Sequence, residues 1–117
     1  MSNEILTKWG QLTDFIANRF DHKNPDLNAI LFIIGIRELG TISDSNFSKD
    51  EKVMLLHIAT CKILSYSGYY ELEGIDSDGW PRWKSIKPIP MLDLSEQELF
   101  LKQHIIEYFD KEEILAF

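Results

Sequence analysis

Apolar residues at Ile5, Trp9, Leu12, Ile16 and Phe20 recur at helical spacing and leave Glu4, Lys8, Gln11, Asp14 and Asn18 on the other side. The chain therefore opens with an amphipathic helix over 3–20. The next apolar run, LNAILFIIGIREL from Leu27 to Leu39, has no polar face. Leu27, Ile30, Leu31, Ile34 and Leu39 mark one side, while Ala29, Phe32, Ile33 and Ile36 fill the others. A helix apolar all round has to be covered all round, which makes this segment the expected centre of the core. Asn24 supplies a cap, Pro25 suits the first turn and Gly40 suits the left-handed end. The short polar link 21–24, with His22 as a solvated residue, favours an antiparallel pair of helices.

After the turn-forming stretch TISDSN, Ser48 and Glu51 have the spacing of a capping box and start a third helix over 49–66. Met54, Leu55, Ile58, Cys61 and either Lys62 or Leu64 form its inner face, widened by Leu56, Ala59 and Ile63, and Gly68 ends it. The pattern then changes to two β-compatible runs around the dense turn Asp76, Ser77, Asp78, Gly79. A four-residue loop pairs Ile75 with Trp80, Glu73 with Arg82, Glu71 with Lys84 and Tyr69 with Ile86. That register sets both acids against both bases on one face. Tyr70, Leu72 and Trp83 share the opposite face, expected to lie on the helices. Pro81 cannot donate to a ladder and implies an open side on its strand. Pro88 and Pro90 lead to a last helix over 96–109, with Ser95 and Glu98 as capping box and Leu94 and Leu99 as hydrophobic staple. It should turn Leu101, Ile105, Tyr108 and Phe109 inward. The chain is expected to be mainly α, a single four-helix domain over 1–117 with one β-hairpin inserted between helices 3 and 4.

Composition narrows this picture little. At 117 residues and 44% hydrophobic the chain can bury one core without a metal or disulfide. Cys61 is the only cysteine and, among apolar helical neighbours, reads as a small buried hydrophobe. The chain has no signal-peptide pattern, and the longest apolar run is well short of the ~20 residues that span a bilayer, so a cytoplasmic setting is expected. The net charge of -7 is concentrated after residue 67, where eleven acids face five bases. An acidic surface argues against nucleic-acid binding and mainly serves solubility.

Candidate chemistry is sparse. His57 and Cys61 lie four apart on one helix, but two ligands do not make a metal site, and no metal or cofactor is expected. Asp76, Asp78 and Gly79 resemble part of a calcium loop, yet Gly74 and Ser85 stand where that loop needs acids, so a backbone turn accounts for them. No nucleophile elbow or phosphate loop is present. Catalysis would need a pocket near Glu38, His57 and Trp83 with the hairpin aromatics. Tyr69 and Trp80 fall on the charged face of the expected register and read either as binding anchors or as ordinary cross-strand aromatics. Ile114, Leu115 and Phe117 form an apolar tail, which either docks on the domain or meets a partner.

The stretch GYYELEGIDSDGWPRWK, followed by the proline pair and the LSEQE helix start, resembles small bacterial proteins of uncharacterised families; the resemblance covers roughly the second half and implies no activity. The residues themselves point to a small interaction module without catalytic activity, binding a protein partner or a second copy of itself as a homodimer. The alternative is a small enzyme or ligand-binding protein using the Glu38, His57 and Trp83 pocket.

Overall fold

The computed structural model describes residues 2–20, 23–40 and 47–115, with side chains from residue 4 onward in the first stretch. The expected loop at 41–46, His22 and Phe117 lie outside the described residues. The protein is mainly α. Helices α1 (Ser2–Phe20), α2 (Leu27–Leu39) and α3 (Lys49–Ser65) are followed by the antiparallel strands β1 (Tyr70–Ile75) and β2 (Pro81–Ser85), and then by α4 (Leu94–Lys111).

Two helix starts differ from expectation for the same physical reason. The cap of α2 is Asp26, whose Oδ1 accepts the Ala29 N–H at 2.8 Å, while Asn24 sits at φ 49 and Pro25 precedes the cap. An N-cap needs extended backbone, which Asn24 does not have, and the Asp26 carboxylate also favours the positive end of the helix dipole. Likewise α4 begins two residues early. Asp93 and Glu96 form the capping box, with Glu96 N–H to Asp93 Oδ1 at 2.8 Å and Asp93 N–H to Glu96 Oε1 at 3.1 Å. The overlapping Ser95 and Glu98 pair is not used, and Leu94 and Leu99 are both exposed rather than stapled. The box at α3 is as expected: Glu51 N–H reaches Ser48 Oγ at 3.1 Å, and Ser48 N–H reaches Glu51 Oε1 at 2.8 Å. Gly68, at φ 80, closes α3 by donating to the Ser65 carbonyl, and Tyr69 N–H donates to the Leu64 carbonyl. That pair of bonds is the glycine-ended helix stop.

The chain packs as two compact units, Met1–Ile30 with Met91–Phe117, and Leu31–Pro90. In the first, α1 lies against α4, and Leu12, Ile16, Ile30, Ile105, Tyr108 and Phe109 are buried. Phe20, at the end of the α1 stripe, is exposed instead. Lys102 of α4 sits 5.2 Å above the Trp9 ring of α1. His104, two residues further along α4, is buried and its Nδ1–H donates to the Phe100 carbonyl at 2.7 Å. In the second unit Leu31, Ile34, Leu55, Ile58, Ala59, Cys61, Ile63 and Leu64 are buried, whereas Met54, expected on the inner face of α3, is exposed. Each fully buried Leu or Ile contributes about 1.5–3 kcal/mol.

A close approach in this second unit is at Gly35. A Cβ built there would meet the Leu55 carbonyl oxygen, with the carbonyl carbon at 2.9 Å and the Leu55 Cβ at 3.0 Å. Gly35 thus lets α2 and α3 pack backbone against backbone. Phe32 and Phe47 meet edge to face, 6.1 Å apart and 89° between planes.

Candidate interaction surface

The hairpin follows α3 directly and packs on it with both strands. Its pairing is Tyr70 with Ser85, Glu71 with Lys84, Leu72 with Trp83, Gly74 with Arg82 and Ile75 with Pro81. The expected register therefore holds up to Leu72 and slips by one beyond it, because Glu73 is the extra residue of a bulge next to Gly74 at φ 148. Gly accepts that backbone without a Cβ penalty, and a bulge is what an isolated Gly in a strand often marks. Glu73 consequently has no direct partner across the ladder. Glu71 stays opposite Lys84, yet neither Glu71 nor Glu73 makes an ion pair among the described residues.

The turn is held by one side chain. Asp76 Oδ1 accepts from Asp78 N–H and Trp80 N–H, both at 2.9 Å, and the backbone adds Gly79 N–H to Asp76 O at 3.0 Å and Asp76 N–H to Trp80 O at 2.9 Å. That oxygen is committed to the loop's own amides, which accounts for the Asp and Gly residues without a cation. Among the described residues no group of three or more His, Cys, Asp or Glu side chains is placed to hold a metal.

The slip places Tyr70, Leu72, Ile75, Pro81 and Trp83 on one face of the ribbon. Tyr70, Pro81 and Trp83 are half-buried. Leu72 is 49% exposed and Ile75 62% exposed, so the face expected to lie on the helices is covered only in part. Trp83 Nε1 is buried without a hydrogen-bond partner among the described residues. The opposite face carries Glu71, Arg82 and Lys84, all exposed. Tyr69 is half-buried, with the Lys87 ammonium 4.5 Å from its ring centroid, and Trp80 is half-buried beside the turn. Ile86 and Ile89, just past β2, are exposed. Leu72 and Ile75 are the surface residues the sequence pattern did not single out; for Ile75 the signal was Gly74, since a bulge there re-aims what lies beyond it, whereas Leu72 keeps its expected face and is simply left uncovered.

The remaining candidate residues lie apart from this ribbon. Ile114 and Leu115 are half-buried, and both donate their N–H to the Phe109 carbonyl, at 2.9 and 3.3 Å, in a turn that folds back on the end of α4. Glu38, at the end of α2, is half-buried and 3.4 Å from Arg37. His57 is exposed on α3, and its Nε2 lies 3.6 Å from Cys61 Sγ. Burial pushes the Cys61 thiol from 9.0 up to about 11, which keeps it protonated at neutral pH and a poor nucleophile or metal ligand. Two surface clefts are described, both in the first unit. One of about 540 Å³ runs between α1 and α4 past Lys8 and Glu107, and one of about 380 Å³ is lined by Leu27, Leu94 and Leu101. Neither includes Glu38, His57 or Trp83. No helix among the described residues is long and apolar enough to cross a membrane. Comparison with protein-family models, curated proteins and solved structures finds no match.

Proposed function

We propose that this chain is a protein-interaction module without catalytic activity of its own, which associates with a second copy of itself through the apolar face of the hairpin. The observation that carries the reading is the exposure of Leu72 and Ile75 beside Trp83 and Pro81 on one face of a two-stranded ribbon. Exposed apolar side chains grouped beside large aromatics are the usual composition of an association surface. Charge favours a second copy at this place. Residues 69–87 hold four carboxylates and three cations, so six of the seven net negative charges lie elsewhere, and copies repel least where the hairpins meet. A ribbon of this size gives a small interface, and association is accordingly weak and concentration-dependent. A cytoplasmic setting suits the lone buried Cys61 thiol.

Light scattering over a concentration series tests the reading. The wild-type mass should rise from 13.7 kDa towards twice that value through the micromolar range, and Leu72→Lys with Ile75→Lys should hold it at the single-chain mass. A wild-type mass that stays at one chain throughout, or a dimer untouched by the two substitutions, refutes it. Circular dichroism at the same concentrations separates lost association from lost folding.

A further inference from the structure

The two outer edges of the hairpin are not equivalent. Ile86 N–H donates to the Tyr69 carbonyl at 2.9 Å, which fixes the alternation of the ladder. The Tyr69 carbonyl and the backbone groups of Glu71 face β2, so Tyr70 and Leu72 turn theirs to the outer edge of β1, and Trp83 and Ser85 turn theirs to the outer edge of β2. The β2 edge is protected by Pro81, which has no N–H, and by the charged Arg82 and Lys84. The β1 edge has neither a proline nor a lysine. Glu71, Leu72 and Glu73 are all exposed, so the middle of β1 lies open to an incoming chain. Regular pairing there runs from Tyr70 to Leu72 and stops at the bulge.

Charge then decides what fits. Glu71 and Glu73 are exposed carboxylates without an ion pair among the described residues, and they flank the exposed Leu72. A second copy of β1 laid antiparallel along this edge would bring acids against acids, which is unfavourable for directly opposed strands. A strand with Lys or Arg facing the carboxylates and apolar side chains facing Tyr70 and Leu72 suffers no such conflict. The inner edge of β1 already pairs with such a strand, β2, in which Arg82 and Lys84 alternate with Trp83.

We infer that the outer edge of β1 is a docking site for an extended segment of a different polypeptide, in which basic and apolar side chains alternate, added to the hairpin as a third strand. Backbone hydrogen bonds at Tyr70 and Leu72 hold it, and Glu71 and Glu73 select its sequence. The inference rests on reading the hairpin as the interaction surface, but it uses the edge of the ribbon rather than its apolar face.

The full chain is titrated with three blocked synthetic peptides: one alternating Lys and Val, its Glu and Val counterpart, and the Lys and Val peptide N-methylated on every second residue to remove one row of donors. Anisotropy of the labelled peptide reads affinity, and hydrogen exchange reads the Tyr70 and Leu72 amides. The Lys peptide should bind, bind less tightly as salt is raised, and slow exchange at those two amides. The Glu peptide and the N-methylated peptide should each bind roughly tenfold more weakly or worse. Glu71→Lys with Glu73→Lys should reverse the order of the Lys and Glu peptides. Equal binding of all three peptides, binding without protection at Tyr70 and Leu72, or an order unchanged by the double substitution overturns the inference. If those amides become protected with rising protein concentration and no peptide present, a second copy occupies the edge, and the inference fails while self-association stands. If the protein stays a single chain but binds the Lys peptide as described, self-association fails and the edge site stands.

Discussion

Gly35→Ala and Gly10→Ala are the same chemical change in two helices, and the structure gives them opposite signs. At Gly10, exposed in α1, no atom lies within 4 Å of where the Cβ would be, so only the helix propensity changes. Replacing Gly by Ala there should stabilise the protein by about 0.5–1 kcal/mol. At Gly35 the same gain is overwhelmed. The new Cβ would stand 2.9 Å from the Leu55 carbonyl carbon, where ordinary contact begins at 3.4 Å, and closer still to the carbonyl oxygen. The obstruction is backbone and cannot rotate away, so α2 and α3 must part by about half an ångström or more. A gap of about 0.5–1 Å forfeits a quarter to a half of each dispersion contact it opens, and overpacking of this kind costs about 1–3 kcal/mol. Buried Leu31, Ile34, Leu55 and Ile58 flank the crossing and share that loss. The net expectation is destabilisation by about 2 kcal/mol, a fall of roughly 10 °C in Tm. Urea titration followed by circular dichroism at 222 nm measures both variants against wild type, with equal m-values as the check that the unfolded states match. A Gly35→Ala protein as stable as wild type, or two variants shifted in the same direction, refutes the close crossing.

Three smaller predictions follow from the caps, the buried thiol and the orphan indole. Asp93→Ala should cost about 1 kcal/mol and Ser95→Ala a few tenths at most, because only Asp93 caps α4; thermal melts that rank them the other way restore the later helix start. The folded Cys61 thiol titrates near 11 and the unfolded one near 9, so the unfolded chain loses its proton first and stability falls as pH rises between those values. The fall amounts to about 2–3 kcal/mol and should be missing from Cys61→Ala, measured by urea midpoints at pH 8 and pH 11. Trp83→Phe removes a buried N–H that has no partner among the described residues, so the relief of about 1–3 kcal/mol offsets most of the lost apolar area. A loss above about 2 kcal/mol in urea titration would mean that Nε1 is satisfied in solution.

Helices and hairpin were legible because their signals are local. Ser48 with Glu51, Gly68, and the Asp76 to Gly79 turn each act within a few residues. The errors arose where two local solutions compete. Asp93 with Glu96 and Ser95 with Glu98 both satisfy the capping rule, and the earlier Asp93 pair is the one used, which adds half a turn to the helix. Asn24 and Asp26 compete in the same way at α2. In the hairpin, Glu71 opposite Lys84 was readable from charge, but one bulge residue at Glu73 reversed the faces beyond it, because side-chain alternation has a period of two. This is why Ile75 moved to the face of Leu72 and Trp83 and why the anticipated pairing of Glu73 with Arg82 was lost. Gly35 was invisible for a different reason: sequence shows that a helix contains a glycine, but not which neighbouring backbone comes up against it.

Tyr69 joins three elements with two bonds, its N–H to Leu64 in α3 and its carbonyl to Ile86 beyond β2. Its consequence lies in the order of assembly. Within Lys49–Ser85, α3 packs on the hairpin that directly follows it, and β1 pairs with the next strand along the chain, so little loop-closure entropy opposes these contacts. Nearest-neighbour topology of this kind folds early and fast, whereas α1 can meet α4 only after most of the chain has been brought together. Trp80 and Trp83 therefore sit among contacts that are local in sequence, and Trp9 sits among contacts that join the two ends of the chain.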